Sequence, residues 1–269
     1  MSYRAVQVYP HHFARDDAGI AGITSNNAVD TDFPLHNLID DRQTTRMKFN
    51  ASAADHYIDI DMGSAFTGKP DTLIIPVGHS LNGIACDLLG DTTPTPTTSR
   101  ASFTPSGTGI IKETVTGTGA ARRYWRLKFN TSGTHVLPGL ILAVKGTFTA
   151  GFVMVGAPDF PQHSFIRFEQ PSGISPTLKT GVDRRVMSLP FNHALDGADL
   201  TTMEDWIATD GMRHPFYIDP PSFSGTPDAS DPAIAMKFAE DPESAWGTKV
   251  PNTESEKKSF TLDLIESVD

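Results

Sequence analysis

The sequence contains almost no cysteine, and this scarcity excludes the cross-links and metal sites that stabilise many small β proteins. Cys86 is the only cysteine in 269 residues, so no disulfide can form within the chain and no cysteine-based metal site can be built. Residues 84–89 have the apolar character of a strand. We therefore expect Cys86 to lie in that strand as a small buried side chain.

Positive charge is also scarce. Lys and Arg total 22 against 32 Asp and Glu, which leaves a net charge of −10. Proteins that coat DNA or RNA neutralise phosphates with clustered Lys and Arg. The balance therefore predicts no specific nucleic-acid binding and favours a soluble, mutually repulsive exterior.

Long apolar runs are missing as well. No run in the sequence approaches the ~20 apolar residues that a membrane helix needs. Residues 1–17 have no basic region followed by an apolar stretch, which a signal peptide would show. These patterns predict a protein that is made in the cytoplasm, does not insert into a membrane and is not exported by the secretory route.

Sequence signatures of catalysis are absent too. None of the 9 histidines falls in a His-Glu-x-x-His pattern, and no Gly-x-Ser-x-Gly elbow occurs. Gly-x-Gly at residues 107–109 and 117–119 lacks the strand–loop–helix frame and lysine of a phosphate-binding loop. We expect no enzyme activity, no catalytic residue and no cofactor. Paired carboxylates meet only in space, so a glycan hydrolase with an ancillary β-sandwich remains an alternative.

Short apolar segments separated by turn residues are what the chain has in abundance. Its 22 Gly and 20 Pro are spread throughout, which is typical of a protein with many short strands. Residues 57–62 and 124–129 alternate most clearly, and we expect Trp125, Leu127 and Phe129 to face the core. The other predicted strands of the first half are residues 3–8, 72–77, 84–89, 109–116 and 140–145.

The sequence pattern changes near residues 146–150, where a strand, a short joint and another strand follow one another. We predict a domain boundary there, between residues 1–148 and 149–269. One helix is predicted at residues 199–209, because Leu200, Met203, Trp206 and Ile207 form an apolar stripe. The fold class predicted from these patterns is mainly β, with one flanking helix in the second domain. The predicted strands of the second domain are residues 152–155, 165–169, 177–180, 185–190, 214–221, 233–238 and 258–268.

Residues 90–109 are rich in Thr, Pro, Ser and Gly. This composition favours an exposed, extended loop. Its length also favours a function, and an arm that contacts a neighbouring subunit is the alternative reading. The candidate interaction residues are Thr93, Pro94, Thr95, Pro96 and Arg100.

The corner at residues 37–45 and the strand that follows it resemble the discoidin-like, or galactose-binding-like, jelly roll. Residues 122–129 and 139–146 look like the closing strands of that family. The resemblance implies a jelly-roll β-sandwich for residues 1–148 and recognition of host surface glycans. Met47 stands where the family often has an aromatic residue. The matching residues are Asn37, Leu38, Asp40, Thr45, Ile58, Ile60, Asp61, Met62 and Gly63.

Two readings of this corner are open. In the favoured one, Asn37 and Asp40 hydrogen-bond to nearby backbone, and Arg42 or Arg46 pairs with an acid, so that the corner holds itself. In the other, implied by the family resemblance, the corner binds a structural Ca²⁺ through Asp40 and Thr45.

Residues 152–269 resemble phage tail structural proteins of the distal-tail or minor-tail type. The match is one of element order: a strand, a linker, a helix with a central Trp, a Gly turn, then strands ending in "FTLDLIE". It implies a tail-tube-like, ring-forming β-sandwich or barrel, a homo-oligomeric ring of six copies, and neighbouring tail or baseplate proteins as partners. It also implies location in the virion tail. The domain order is reversed relative to the more familiar arrangement.

Three hypotheses about function follow. The favoured one is a non-enzymatic virion structural protein, a ring-forming tail adaptor whose jelly roll faces outward. The second is a carbohydrate-binding accessory protein of a receptor-binding apparatus. The third is the glycan hydrolase.

Overall fold

The structure is a computed structural model, and it is mainly β, as predicted. It describes residues 3–9, 13–15, 20–40, 44–51, 54–154, 160–162, 165–167, 177–179, 184–191, 206–207, 215–219, 233–238 and 260–266. The chain divides into two compact units. The sandwich unit is Val8–Gly146, to which the last residue is also assigned, and the barrel unit is Met1–Gln7 with Thr147–Val268.

Nineteen strands are described, and a 3-10 turn at Leu35–Leu38 lies between the second and third. The first twelve are β1 Tyr3–Tyr9, β2 Gly22–Ser25, β3 Met47–Lys48, β4 His56–Asp61, β5 Thr72–Ile75, β6 Cys86–Asp91, β7 Ser99–Phe103, β8 Ile111–Thr114, β9 Tyr124–Phe129, β10 Val136–Leu137, β11 Ile141–Ala143 and β12 Gly146–Met154. The others are β13 Phe160–Gln162, β14 Phe165–Arg167, β15 Thr177–Lys179, β16 Arg184–Phe191, β17 Phe216–Asp219, β18 Ile234–Phe238 and β19 Phe260–Glu266.

The sandwich unit is a jelly-roll β-sandwich with two antiparallel sheets. One sheet has the strand order β2-β4-β9-β6-β7, the other has the order β11-β5-β8, and β3 and β10 form a separate ribbon. The core is built from the alternation that the sequence shows: β9 buries Trp125, Leu127 and Phe129 and turns the residues between them outward. Cys86, at the start of β6, is 1% exposed, as predicted.

Charge pairs cover the outward face of the five-stranded sheet. Arg126 on β9 bonds both carboxylate oxygens of Asp59 on β4, at 2.5 and 2.8 Å, and its guanidinium lies 3.9 Å from the centroid of the Tyr57 ring. Arg123 binds Asp61 in the same bidentate way, and these hydrogen bonds lower the pKa of Asp61. The face therefore satisfies most of its charges internally.

The prediction that residues 90–109 form an exposed loop is wrong in part, because these residues contain strand β7. Asp91 explains this, since its carboxylate accepts the backbone N–H of Thr97 at 2.6 Å and of Thr98 at 3.0 Å. The Gly90 N–H then donates to the Thr98 carbonyl, and the chain returns beside β6 as an edge strand. The turn residues 92–95 between these strands are exposed.

In the barrel unit, β12-β1-β17-β18-β19-β16 form one sheet that closes on itself, because Val153 on β12 also pairs with Phe191 on β16. The division between Gly146 and Thr147 lies two residues from the predicted boundary. Residues 1–7 differ from the prediction: they belong to the barrel unit, because β1 pairs between β12 and β17. Of the predicted helix, Trp206 and Ile207 are described and are helical; its other residues lie outside the described part. No helix among the described residues has the length and apolarity to cross a membrane.

Candidate functional site

The corner predicted from residues 37–45 has well-defined internal hydrogen bonds. The Thr45 hydroxyl donates to the two carboxylate oxygens of Asp40 at 2.9 and 3.0 Å. The Asn37 side-chain amide donates to the Arg46 carbonyl at 2.8 Å, and the Leu38 carbonyl accepts from the Leu140 N–H. These bonds attach the corner to the strand that follows it, as expected for a corner that holds itself.

Asp40 and Thr45 are also the residues that would hold calcium in this corner. Ca²⁺ takes about 6–8 oxygen ligands, whereas Asp40 and Thr45 offer one carboxylate and one hydroxyl that is already bonded to it. Within the described residues, no group of three or more His, Cys, Asp or Glu side chains is placed to hold a metal ion. Further ligands would have to come from backbone carbonyls or water, and the calcium reading stays a prediction.

A single surface forms where the loops at one end of the sandwich meet; we call it the loop end. β4, β6 and β9 meet here at His56, Cys86 and Phe129. Hydrogen bonds join its segments: Asp30 N–H to the Lys48 carbonyl at 2.9 Å, Lys48 N–H to the Phe33 carbonyl at 3.1 Å, and Ser80 N–H to the Val136 carbonyl at 3.0 Å. The loop at residues 26–33, the β3–β10 ribbon and the loop after β5 are thus one connected structure.

An exposed aromatic ring with a charged pair beside it is the most distinctive feature of this surface. Phe33 is 39% exposed, and the Lys48 ammonium lies 5.6 Å from the centroid of its ring. Lys48 Nζ also binds Asp30 Oδ2 at 3.0 Å. That hydrogen bond is the main reason that the pKa of Asp30 is lowered, so the carboxylate is charged at neutral pH.

Arg46 adds a second cationic group to the loop end. Arg46 and Lys48 flank the buried Met47, so in extended chain both side chains leave the same side, about 7 Å apart. The Arg46 guanidinium donates to the Gly78 carbonyl at 3.0 Å, and within the described residues no carboxylate forms a salt bridge with it. Val77, beside it, is 63% exposed.

The interior beneath this surface holds buried histidines. His56, His79 and His135 are 0, 2 and 4% exposed. The His56 ring lies 4.3 Å from the Phe49 ring and 5.2 Å from the His135 ring, centroid to centroid. The 9 histidines show no ligand spacing in the sequence, and the absence of a His-based metal site stays a prediction.

The candidate interaction residues are separated by the structure. Thr93, Pro94 and Thr95 lie exposed in the turn between β6 and β7, whereas Pro96 is buried. Arg100 lies on β7, where its Nε donates to the Gly90 carbonyl at 2.9 Å and Nη2 approaches Asp91 at 3.7 Å. Arg100 therefore stabilises the hairpin, and only the three turn residues are presented for contact.

Comparisons with known proteins concern the fold of about half of the chain. No family model and no curated protein matches. Among solved structures, chitosan-binding module 1 of a chitosanase/glucanase from Paenibacillus sp. IK-5 is 17% identical with a TM-score of 0.41, covering 51% of this chain and 100% of that one. The CBM32 domain of AlyQ, in complex with 4,5-unsaturated mannuronic acid, is 21% identical with a TM-score of 0.35 and coverages of 45% and 92%. A Streptococcus pneumoniae fucose-binding module is 15% identical with a TM-score of 0.39 and coverages of 50% and 95%.

The loop-end surface was not predicted as a site from the sequence. One signal was present, since Phe33 is an aromatic residue in a polar, acid-rich segment. Its neighbour Lys48 is 15 residues further along the chain, and backbone bonds between residues 30–33 and Lys48 bring the two together only in the folded chain. The buried histidines carried no signal, because positions 56, 79 and 135 have no common spacing.

Proposed function

We propose that the sandwich unit binds carbohydrate at the loop end. The observation that carries the proposal is the exposed Phe33 ring with the Lys48–Asp30 pair at its border. One face of a sugar ring is lined by C–H groups and suits an aromatic ring, whose face carries negative charge. Sugar hydroxyls both donate and accept, so Asp30 can accept from them while Lys48 and Arg46 donate.

The geometry of the surface lowers the cost of binding. Lys48 is oriented by its ion pair, and the Phe33 backbone is held by the Lys48 N–H. Side chains that are already ordered lose less conformational entropy when a ligand binds. The outward face of the five-stranded sheet is less suitable, because its guanidinium and carboxylate groups already bind each other.

Binding is tested with the full chain on a glycan array, followed by calorimetry. The first panel includes chitosan, fucosylated and uronic-acid oligosaccharides, the classes named for the modules of similar architecture. Phe33→Ala is expected to weaken binding at least ~5-fold, by analogy with aromatic platforms that contribute about 1–3 kcal/mol, whereas Phe33→Tyr retains it. Lys69→Ala, an exposed lysine between β4 and β5 at the opposite end, is the control and should bind normally.

Two results would reject this site. One is the absence of binding to every glycan of the array at millimolar ligand. The other is binding that Phe33→Ala and Lys48→Ala leave unchanged, which would place the sugar elsewhere on the chain.

A second proposal concerns the barrel unit, which we infer serves assembly, in the manner of a virion tail component. Strands β14 and β15 form a two-stranded sheet that pairs with no other strand among the described residues. A two-stranded hairpin is only marginally stable in water by itself, and contact with another copy or a neighbouring protein would stabilise it. Phage tail structural proteins are the family that residues 152–269 resemble, and a closed ring of copies is the expected assembly.

Native mass spectrometry with electron microscopy tests this second proposal. We expect rings from the full chain, and fewer rings when Ile166 and Leu178, which pair across the hairpin, are both changed to Asp. A monomer at all concentrations, with or without added virion components, would reject it.

A further inference from the structure

Every buried histidine among the described residues lies at the loop end. His56 begins β4, His79 follows β5, and His135 precedes β10. Burial of a charged imidazole in an apolar environment is costly. The loop end is therefore built around three imidazole rings that are shielded from water, and for His79 and His135 this burial lowers the pKa.

Hydrogen bonds define the neutral form of two of these rings. His56 Nε2 lies 2.7 Å from the Gly133 carbonyl and therefore donates to it, which leaves Nδ1 to accept from the Asn27 amide at 3.1 Å. His79 Nε2 donates to the Gly109 carbonyl at 2.6 Å, and its Nδ1 accepts the Leu81 N–H at 3.2 Å. A proton added at either Nδ1 would face an N–H donor.

Rotation of the Asn27 amide does not relieve this conflict. The same Asn27 nitrogen donates to the Asp55 carbonyl at 3.1 Å. A rotated amide would place its oxygen against that carbonyl, so the Asn27 amide is held in one orientation between Asp55 and His56.

His135 has weak support for a charge, because the backbone of Thr131 is the one hydrogen-bonding group near its ring that favours the protonated form. Both of its ring nitrogens are buried without a hydrogen-bond partner. Its ring is packed edge-on against His56, with 88° between the ring planes, and against Phe129 at 5.7 Å between centroids. Burial is the main cause that lowers the pKa of His135 and of His79, and it outweighs the backbone groups of Thr131 and Gly109, which raise these pKa values.

The charged side chains on the surrounding elements do not offset the cost of placing a charge on these imidazole rings. Asp55 binds Lys128 at 3.3 Å, Lys48 binds Asp30, and Arg46 binds the Gly78 carbonyl. Within the described residues, no carboxylate hydrogen-bonds to an imidazole of His56, His79 or His135.

We propose that the loop end is an acid-sensitive latch, in which protonation of His79 and His135 opens the β3–β10 ribbon and the loops bonded to it. The link to the surface is direct, because the Phe49 N–H donates to the His135 carbonyl and Lys48 precedes Phe49. Opening separates Lys48 from Phe33. The release of a glycan on acidification rests on the proposed function; the opening itself does not.

The sign and size of the effect follow from linkage. The closed form binds fewer protons than the open form, so closure is favoured at neutral pH and is weakened as the pH falls below ~6.5, the value of an exposed histidine. Each histidine that stays neutral in the closed form raises the opening constant by up to ~30-fold at pH 5.

Hydrogen exchange of the full chain, corrected for the intrinsic effect of pH, measures this opening. The informative amides are Phe49, Ser80 and Val136, which donate across the loop end. We expect their opening constants to rise by at least ~10-fold between pH 7.5 and pH 5. Met62 and Val115, which donate at the opposite end of the sandwich, should change less.

Two variants identify the groups responsible. His135→Phe keeps an aromatic ring beside Phe129 without a titrating group, and His79→Gln keeps one donor and one acceptor; each should remove part of the pH effect. His36→Gln, an exposed histidine of the 3-10 turn, is the control and should leave it intact. Three results would overturn the proposed latch: opening constants that stay constant with pH, that rise equally at both ends of the sandwich, or that respond to pH alike in all variants. If no glycan binds, the proposed function fails while the exchange result still decides the latch.

Discussion

At the scale of single residues, the loop end depends on how closely backbone and side chains approach. Gly78 has φ of +98°, a conformation that L residues with a side chain rarely adopt. A Cβ at this position would lie 3.1 Å from Arg46 Nη1. The Arg46 guanidinium thus lies close to the position that a side chain at residue 78 would occupy.

Gly78→Ala is predicted to destabilise the sandwich unit by about 2 kcal/mol, since the left-handed conformation costs roughly 1–2 kcal/mol and Arg46 has to move as well. Gly83→Ala is the matched control, because Gly83 also has positive φ, of +73°, but no atom lies within 4 Å of its Cβ position. It should cost about 1 kcal/mol. Chemical denaturation measures both, and equal losses would show that the Arg46 contact has no effect on stability.

At the scale of elements, side chains decide where the chain turns. The β6–β7 hairpin is organised by Asp91, which accepts two backbone N–H groups and pairs with Arg100. Burial is the largest single influence on the pKa of Asp91 and raises it, but the bonds from Thr97, Thr98 and Arg100 together lower it.

Asp91→Asn is therefore predicted to reduce the free energy of unfolding by about 1 kcal/mol at neutral pH, the usual net value of such a bond. A lowered pKa means that the carboxylate stabilises the protein above the unfolded-state value and that this contribution is lost as the pH falls through the folded-state value. The difference between wild type and variant should thus shrink below pH 4. Urea denaturation at pH 7 and pH 3 checks this, and a constant difference would contradict it.

The corner at Asp40 and Thr45 provides a second test at this scale. Because the Thr45 hydroxyl already binds the Asp40 carboxylate, chelation of calcium is predicted to shift the melting temperature by less than about 1 °C. Thr45→Val, which removes the hydroxyl at similar volume, should lower stability with or without chelator. A large loss on chelation, reversed by added Ca²⁺, would establish the alternative reading of the corner.

At the scale of the whole molecule, the first seven residues are important for the stability of the barrel unit. β1 lies between β12 and β17 in the sheet of the barrel unit. Removing a strand from the middle of a sheet exposes two rows of backbone groups and the apolar surface behind them.

Deletion of residues 1–7 is predicted to unfold the barrel unit and to leave the sandwich unit folded. Calorimetry should show two transitions for the full chain and one for the deletion. Residues 8–146 expressed alone should reproduce the remaining transition, since they contain their own core. Loss of both transitions would contradict the division into independent units.

Sequence alone determined the features that depend on neighbours along the chain. Alternation predicted β4 and β9 and the faces they bury, because side chains of a strand point to opposite sides in turn. Turn residues predicted the many short strands, and residues 37–45 predicted a corner with internal hydrogen bonds. Strands β3, β7 and β10 were missed, since β3 and β10 have two residues each, too few for a readable period, and β7 lies in a segment whose composition favours a loop.

Tertiary structure decided what depends on residues far apart in sequence. Pairing between β1 and the C-terminal strands, and closure of the barrel through Val153 and Phe191, are contacts over long separations that no local pattern encodes. The same holds for Phe33 beside Lys48 and for His56 against His135. Burial and proximity are properties of the packed sheets, so the candidate binding surface and the histidines beneath it exist only once the sandwich has closed.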